Sequence, residues 1–103
     1  NNVKLYYNLG DYRGNNYLSA IITARNAKKK FPDSRYNEDW SFYILKSYYS
    51  QAHESVESKQ YDRYIDAKDA CYSFLKEYPS TKYAKEVETI QHKIERYFEH
   101  HKN

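Results

Sequence analysis

The chain has 103 residues, with 17 Lys and Arg against 14 Asp and Glu, one Cys, two Gly, two Pro and no Met. That length fits one core and not two independent ones. A single cysteine, Cys71, excludes an internal disulfide and a Cys-based zinc site, and no apolar run is long enough to span a bilayer.

The first seven helical residues, 3–9, read as the tail of a helix stopped by Gly10, with Asp11 placed to cap the next one. The second helix is expected over 12–31, because Tyr17, Ala20, Ile21, Ala24, Ala27 and Phe31 recur at spacings of three and four. Its small residues imply close approach of a neighbouring helix, and Gly14 near its start is expected to pack tightly against the preceding segment. Pro32 ends this helix, having no amide to donate and disfavouring a helical residue before it. Asp33 or Ser34 then opens a helix over 35–54 with the stripe Tyr36, Trp40, Tyr43, Ile44, Ser47, Tyr48 and Ala52. A turn is placed near 55–59. The helix 60–78 carries Tyr61, Tyr64, Ile65, Ala67, Cys71, Phe74, Leu75 and Tyr78, and Pro79 stops it. The last helix, 82–100, is opened by Ser80 or Thr81 and carries Tyr83, Val87, Ile90, Ile94, Tyr97 and Phe98. No segment alternates with period two for long enough to support a strand. Fourteen Tyr, four Phe and one Trp supply the bulk that Leu usually supplies.

One phrase occurs twice. Phe31-Pro32-Asp33-Ser34-Arg35-Tyr36 returns 47 residues later as Tyr78-Pro79-Ser80-Thr81-Lys82-Tyr83, and at the same offset Tyr17, Ala20, Ala24 and Ala27 meet Tyr64, Ala67, Cys71 and Phe74. A repeat of this length signals helical hairpins that bury their faces only by stacking and whose product is a concave protein-binding surface. The spacing Ala20, Ala24, Ala27, Pro32 is that of the second helix of a tetratricopeptide repeat, lengthened here. The expected fold is all-α: tetratricopeptide-like antiparallel helical hairpins, about two and a half units of a right-handed solenoid, in one domain over 1–103. With no Met, that domain is expected to be a fragment of a longer protein.

The residues for chemistry are not assembled. Positions 92 and 100 lie about 12 Å apart along a helix, so His92 and His100 cannot share an ion, and Glu88 with His92 makes two ligands, not a site. Cys71 faces inward with no His at helical spacing. The acid pairs Glu38–Asp39 and Glu86–Glu88 do not face each other on a helix, and no glycine-rich phosphate loop is present. The reading is therefore no enzyme, no catalytic residue, no metal and no cofactor. Charge is uneven: residues 1–36 carry seven basic and two acidic side chains, net +5, and the remainder is net −2. Arg25, Lys28, Lys29 and Lys30 become candidate contacts for an acidic partner. Tyr7, Tyr49 and Tyr72 fall off the apolar stripes and are the candidate aromatic contacts.

Leu9-Gly10-Asp11-Tyr12, the two Pro-turn phrases, and Glu54-Ser55-Val56-Glu57-Ser58-Lys59 leading into the fourth helix resemble the C-terminal part of the BamD family, tetratricopeptide lipoproteins of the bacterial outer-membrane barrel assembly machinery, closest to versions from Bacteroides-like bacteria. The resemblance covers nearly the whole chain. It implies a parent protein on the periplasmic face of the outer membrane, held by a lipid on an N-terminal cysteine that this sequence lacks, and a scaffold role. The implied partners are the periplasmic domains of the barrel-forming subunit and unfolded outer-membrane proteins, with no nucleic acid. Two other readings stand beside it: a helical repeat binding single-stranded nucleic acid through its basic first third, and a generic peptide-binding adaptor.

Overall fold

A computed structural model describes residues 2–101. Every regular element among them is helical: α1 (Val3–Leu9), α2 (Asn16–Lys30), α3 (Asn37–His53), α4 (Glu57–Glu77) and α5 (Ala84–His100). The 47-residue repeat is a repeat of geometry as well as of letters. α2 and α4 end at Lys30 and Glu77, α3 and α5 begin at Asn37 and Ala84, and they end at His53 and His100, each pair 47 positions apart. The residues before the prolines share one conformation, φ −126° and ψ 67° at Phe31 against φ −128° and ψ 69° at Tyr78. Neither residue is helical, a conformation that a following proline disfavours. In each turn a hydroxyl accepts a hydrogen bond from the amide two residues on, Ser34 from Tyr36 and Thr81 from Tyr83, both at 3.1 Å.

The helices pack as antiparallel hairpins. Tyr17 at the start of α2 bonds Glu54 just past the end of α3, whereas Lys28 and Glu77 bring the ends of α2 and α4 together. Thr81 and Glu38 likewise bring the starts of α3 and α5 together. α1, α3 and α5 therefore form one layer, with α2 and α4 behind it. The stripes Tyr17–Ala20–Ala24 and Tyr64–Ala67–Cys71 are buried, with Ala20, Ala24 and Ala67 fully enclosed where helices approach closely. The core is one large cluster, from Phe42 and Leu45 through Phe74 to Ile94, and a smaller one of Val3, Ala24 and Trp40.

Several expectations are corrected. The second helix starts at Asn16 rather than 12, because the 10–15 connection is a loop with positive φ at Gly10, Arg13 and Gly14. Its cap is Asn15, whose side-chain oxygen accepts from the Leu18 amide, and not Asp11. Gly14 packs against nothing: a Cβ there would meet open space. The close approach belongs to Gly10, where a Cβ would fall 2.7 Å from the Tyr17 hydroxyl. The fourth helix starts at Glu57, three residues early, because the preceding helix ends at His53 and leaves a turn of only three residues. Phe31, Tyr36 and Tyr61 are exposed rather than buried, each lying at or near a helix end, although the Tyr61 ring meets that of Phe98 at 5.7 Å. Conversely Phe42 and Leu45, off the expected stripe of the third helix, are buried, because α3 is packed on by all four other helices and has almost no free face.

Candidate protein-binding surface

The α1–α3–α5 layer presents a cleft of about 520 Å³. Its wall from α3 is Phe42, Tyr43, Lys46, Tyr49 and Ser50, which recur at helical spacing. α1 contributes Tyr7, and α5 contributes Glu86, Ile90 and Lys93, with Tyr83 at its start. Aromatic contact fixes these side chains. Tyr7 meets Tyr43 edge-on at 5.5 Å, Phe42 stacks on Tyr83 at 4.0 Å, and Tyr49 stands edge-on to the buried Tyr64 at 6.1 Å. The Tyr7 hydroxyl lies 3.4 Å from that of Ser50.

Two ammonium groups occupy this aromatic surround. Lys46 lies 4.4 Å from the Tyr7 ring centroid, 4.5 Å from Tyr43 and 5.1 Å from Phe42, and Lys93 lies 5.7 Å from Tyr49. Burial lowers the Lys46 pKa from the ordinary lysine value, Glu86 partly restores it, and Lys4 lowers it further. Burial also raises the Tyr43 and Tyr49 phenols, so both remain neutral donors at neutral pH. Among the described residues no carboxylate lies within ion-pair distance of Lys46 or Lys93. The cleft thus offers rings, hydroxyl donors and two cations not engaged in ion pairs, a set that suits a segment carrying carboxylates beside apolar or aromatic side chains.

No family model, curated protein or solved structure matches this chain.

The structure brings Tyr7 and Tyr49 into this one cleft and leaves Tyr72 elsewhere. Tyr72 is 70% exposed on the far side of α4, beside a second groove. The basic row does not act as a unit. The Arg25 guanidinium donates to the Tyr48 hydroxyl at 2.7 Å, and Lys28 pairs with Glu77 at 3.0 Å. Both line a cleft of about 400 Å³ whose opposite wall holds Asp66, Asp69 and Glu77 of α4, so acidic groups inside the chain face them. Lys29 and Lys30 are exposed, and Lys30 lies 5.5 Å from the Phe31 ring. Cys71 is buried among apolar groups, which push its thiol up to about 12. No group of three or more His, Cys, Asp or Glu among the described residues is placed to hold a metal.

Lys46, Phe42, Glu86 and Lys93 escape a reading by apolar stripe, yet the sequence carried a signal for the charged ones. Lys46 and Lys93 are 47 residues apart, as are Asp39 and Glu86, so α3 and α5 each offer an acid followed seven residues later by a lysine. The repeat offset, applied to the charged residues as well as the apolar ones, finds this ladder.

Proposed function

We propose that this protein is a non-enzymatic scaffold that holds partner proteins by their acidic, partly apolar segments in the α1–α3–α5 cleft, and that it serves outer-membrane β-barrel assembly at the periplasmic face. The observation that carries the binding reading is the repeated pair Lys46 and Lys93, held among Tyr7, Tyr43, Phe42 and Tyr49 with no ion-paired carboxylate. The place in barrel assembly rests on the BamD-like phrases around the two Pro-turns. The partner it implies is the barrel-forming subunit's periplasmic domains, with incoming unfolded barrel proteins as a second class. The parent protein would meet the membrane through an N-terminal lipid; no helix among the described residues is long and apolar enough to cross one.

The test is recovery of the tagged parent from detergent-solubilised envelopes, with mass spectrometry of what accompanies it. A large barrel protein bearing periplasmic repeats should be recovered, and Lys46→Glu with Lys93→Glu should lose it while the helical content is retained. Recovery undiminished by that reversal removes the cleft from the interface. Recovery of nucleic-acid-associated proteins and no barrel overturns the assembly role.

A further inference from the structure

Between α4 and α5 lies a groove of about 910 Å³, the largest cleft described. Its floor is apolar: Ile94 and Cys71 are buried in it, and Leu75 and Phe98 are half-buried. Its two rims carry opposite charge, Lys68 and Lys76 on α4, Glu95 and Glu99 on α5. None of these four is ion-paired with another described residue.

The repeat says what such a groove is shaped for. Shifting back by 47 places the α4–α5 seam on the α2–α3 seam, with Cys71 falling on Ala24, Gln91 on Ile44 and Ile94 on Ser47. In the first unit that seam is covered by a helix, α4 itself. Ala24 and Ser47 are fully buried there, and Arg25, Ile44 and Tyr48 face Asp66, Ala70 and Ser73 across the interface. The covering helix runs parallel to α2, as the Lys28–Glu77 pair at their common end shows, and turns an acidic edge to it.

We infer that the α4–α5 groove seats one amphipathic helix of a partner protein, running parallel to α4, with an acidic edge against Lys68 and Lys76 and a basic edge against Glu95 and Glu99. The rims span residues 68–76 and 91–99, about 12 Å each, so about two turns of the partner helix engage. Helix-in-groove docking of this kind takes its affinity from the apolar floor and its orientation from the charged edges. This seat is separate from the α1–α3–α5 cleft and does not depend on it.

The probe is a fluorescein-labelled peptide with the α4 sequence Glu57–Glu77, carrying Cys71→Ser, because α4 is the helix that the equivalent seam already accepts. Anisotropy at low ionic strength should show saturable binding to the whole chain. Lys68→Glu with Lys76→Glu, both at exposed positions, should weaken it by about tenfold, and a peptide with Asp66→Lys, Asp69→Lys and Glu77→Lys should regain affinity for the reversed chain. Absence of saturable binding overturns the inference. So does binding indifferent to the reversal, which would mean that the peptide replaces the chain's own α4. A concentration-dependent dimer in sedimentation that the reversal abolishes would overturn it in favour of a second copy. The envelope recovery experiment, which turns on Lys46 and Lys93, is unaffected by any of these outcomes.

Discussion

Asp39 is where the second unit is fastened to the first, and Asp39→Asn tests that fastening. Its carboxylate accepts a hydrogen bond from the Tyr83 hydroxyl and pairs with Lys82 at 3.0 Å. Beside it Glu38 accepts from the Thr81 hydroxyl at 2.6 Å and the Lys82 amide at 3.2 Å. Burial works against the Asp39 charge, but the Tyr83 and Lys82 bonds together outweigh it and hold the carboxyl below its usual range. The asparagine keeps an oxygen acceptor and loses the charge. A hydrogen bond to a charged partner contributes about 1.5–3 kcal/mol, roughly twice a neutral one. The Lys82 pair adds at most a few tenths, because Lys82 is 63% exposed and screened.

The expected loss is therefore about 1–2 kcal/mol near neutral pH, a fall in Tm of about 5–15 °C for a chain of this size. The sign with pH follows from the depressed value. The Asp39 contribution is fully present above the unfolded carboxyl pKa of about 3.9 and is lost as pH falls through the lower folded value. Urea unfolding followed by Trp40 fluorescence, on both proteins from about pH 7 downward, should show a gap that holds to about pH 4 and closes below it. A gap of the same size in acid, or none near neutrality, would refute the argument, since either would mean that the charge on Asp39 is not what joins the units.

Gly10→Ala should cost about 2–3 kcal/mol: φ +58° with ψ −120° is glycine's territory, and the new methyl drives Tyr17 off the Glu54 carboxylate it holds at 2.5 Å; denaturant titration reads it, and a loss under about 0.5 kcal/mol would contradict the geometry. Ser47→Ala should be neutral or stabilise by up to about 1 kcal/mol, because its hydroxyl is fully buried with no hydrogen-bond partner and its removal relieves a desolvated group; a clear loss of stability in the same titration would show that the hydroxyl is satisfied. The phenols should ionise late. Burial, with Glu54 beside Tyr17 and Asp39 beside Tyr83, raises both above the ordinary tyrosine value, and burial raises Tyr64 to about 12. Raised folded values mean that their contribution is complete below about pH 10 and is lost as pH climbs through them, so ultraviolet absorbance should show a late tyrosinate step that coincides with loss of helical circular dichroism.

The sequence made the repeat boundaries legible because two prolines, each preceded by an aromatic and with a hydroxyl residue two positions on, leave the backbone few options. The small-residue stripes were legible for a similar reason: Ala20, Ala24 and Ala67 permit an approach that larger side chains forbid. The 10–15 connection was not legible. Asp11 reads as the cap, and its displacement by Asn15 follows from the positive φ at Gly10, Arg13 and Gly14, which only the folded turn reveals. Phe42 and Leu45 were missed because stripe reading assumes one buried face per helix, and α3, in contact with every other helix, has several. The cleft was half legible. Tyr7 and Tyr49 stand out by falling off the stripes, whereas Lys46 and Lys93 look like ordinary solvated lysines until the fold sets Lys46 among three rings and Lys93 beside Tyr49.

The cleft and the joint are one mechanical element. Lys46 lies on α3 and Lys93 on α5, so the separation of the two cations is set by how the second unit sits on the first, and that is fixed by the Glu38 and Asp39 bonds and by the Phe42–Tyr83 stack. A ligand bridging both lysines binds the joined arrangement in preference to a loosened one, and it must therefore stabilise the joint by the same free energy that the joint contributes to binding. Asp39→Asn touches neither lysine, yet it should weaken a bridging ligand and enlarge the stabilisation that saturating ligand confers. Reversal of Lys68 and Lys76, both on α4 and outside the cleft, should leave both quantities alone. A ligand whose affinity survives Asp39→Asn unchanged would be held by one lysine only, and the repeat would then supply two separate contacts where the geometry offers a single clamp.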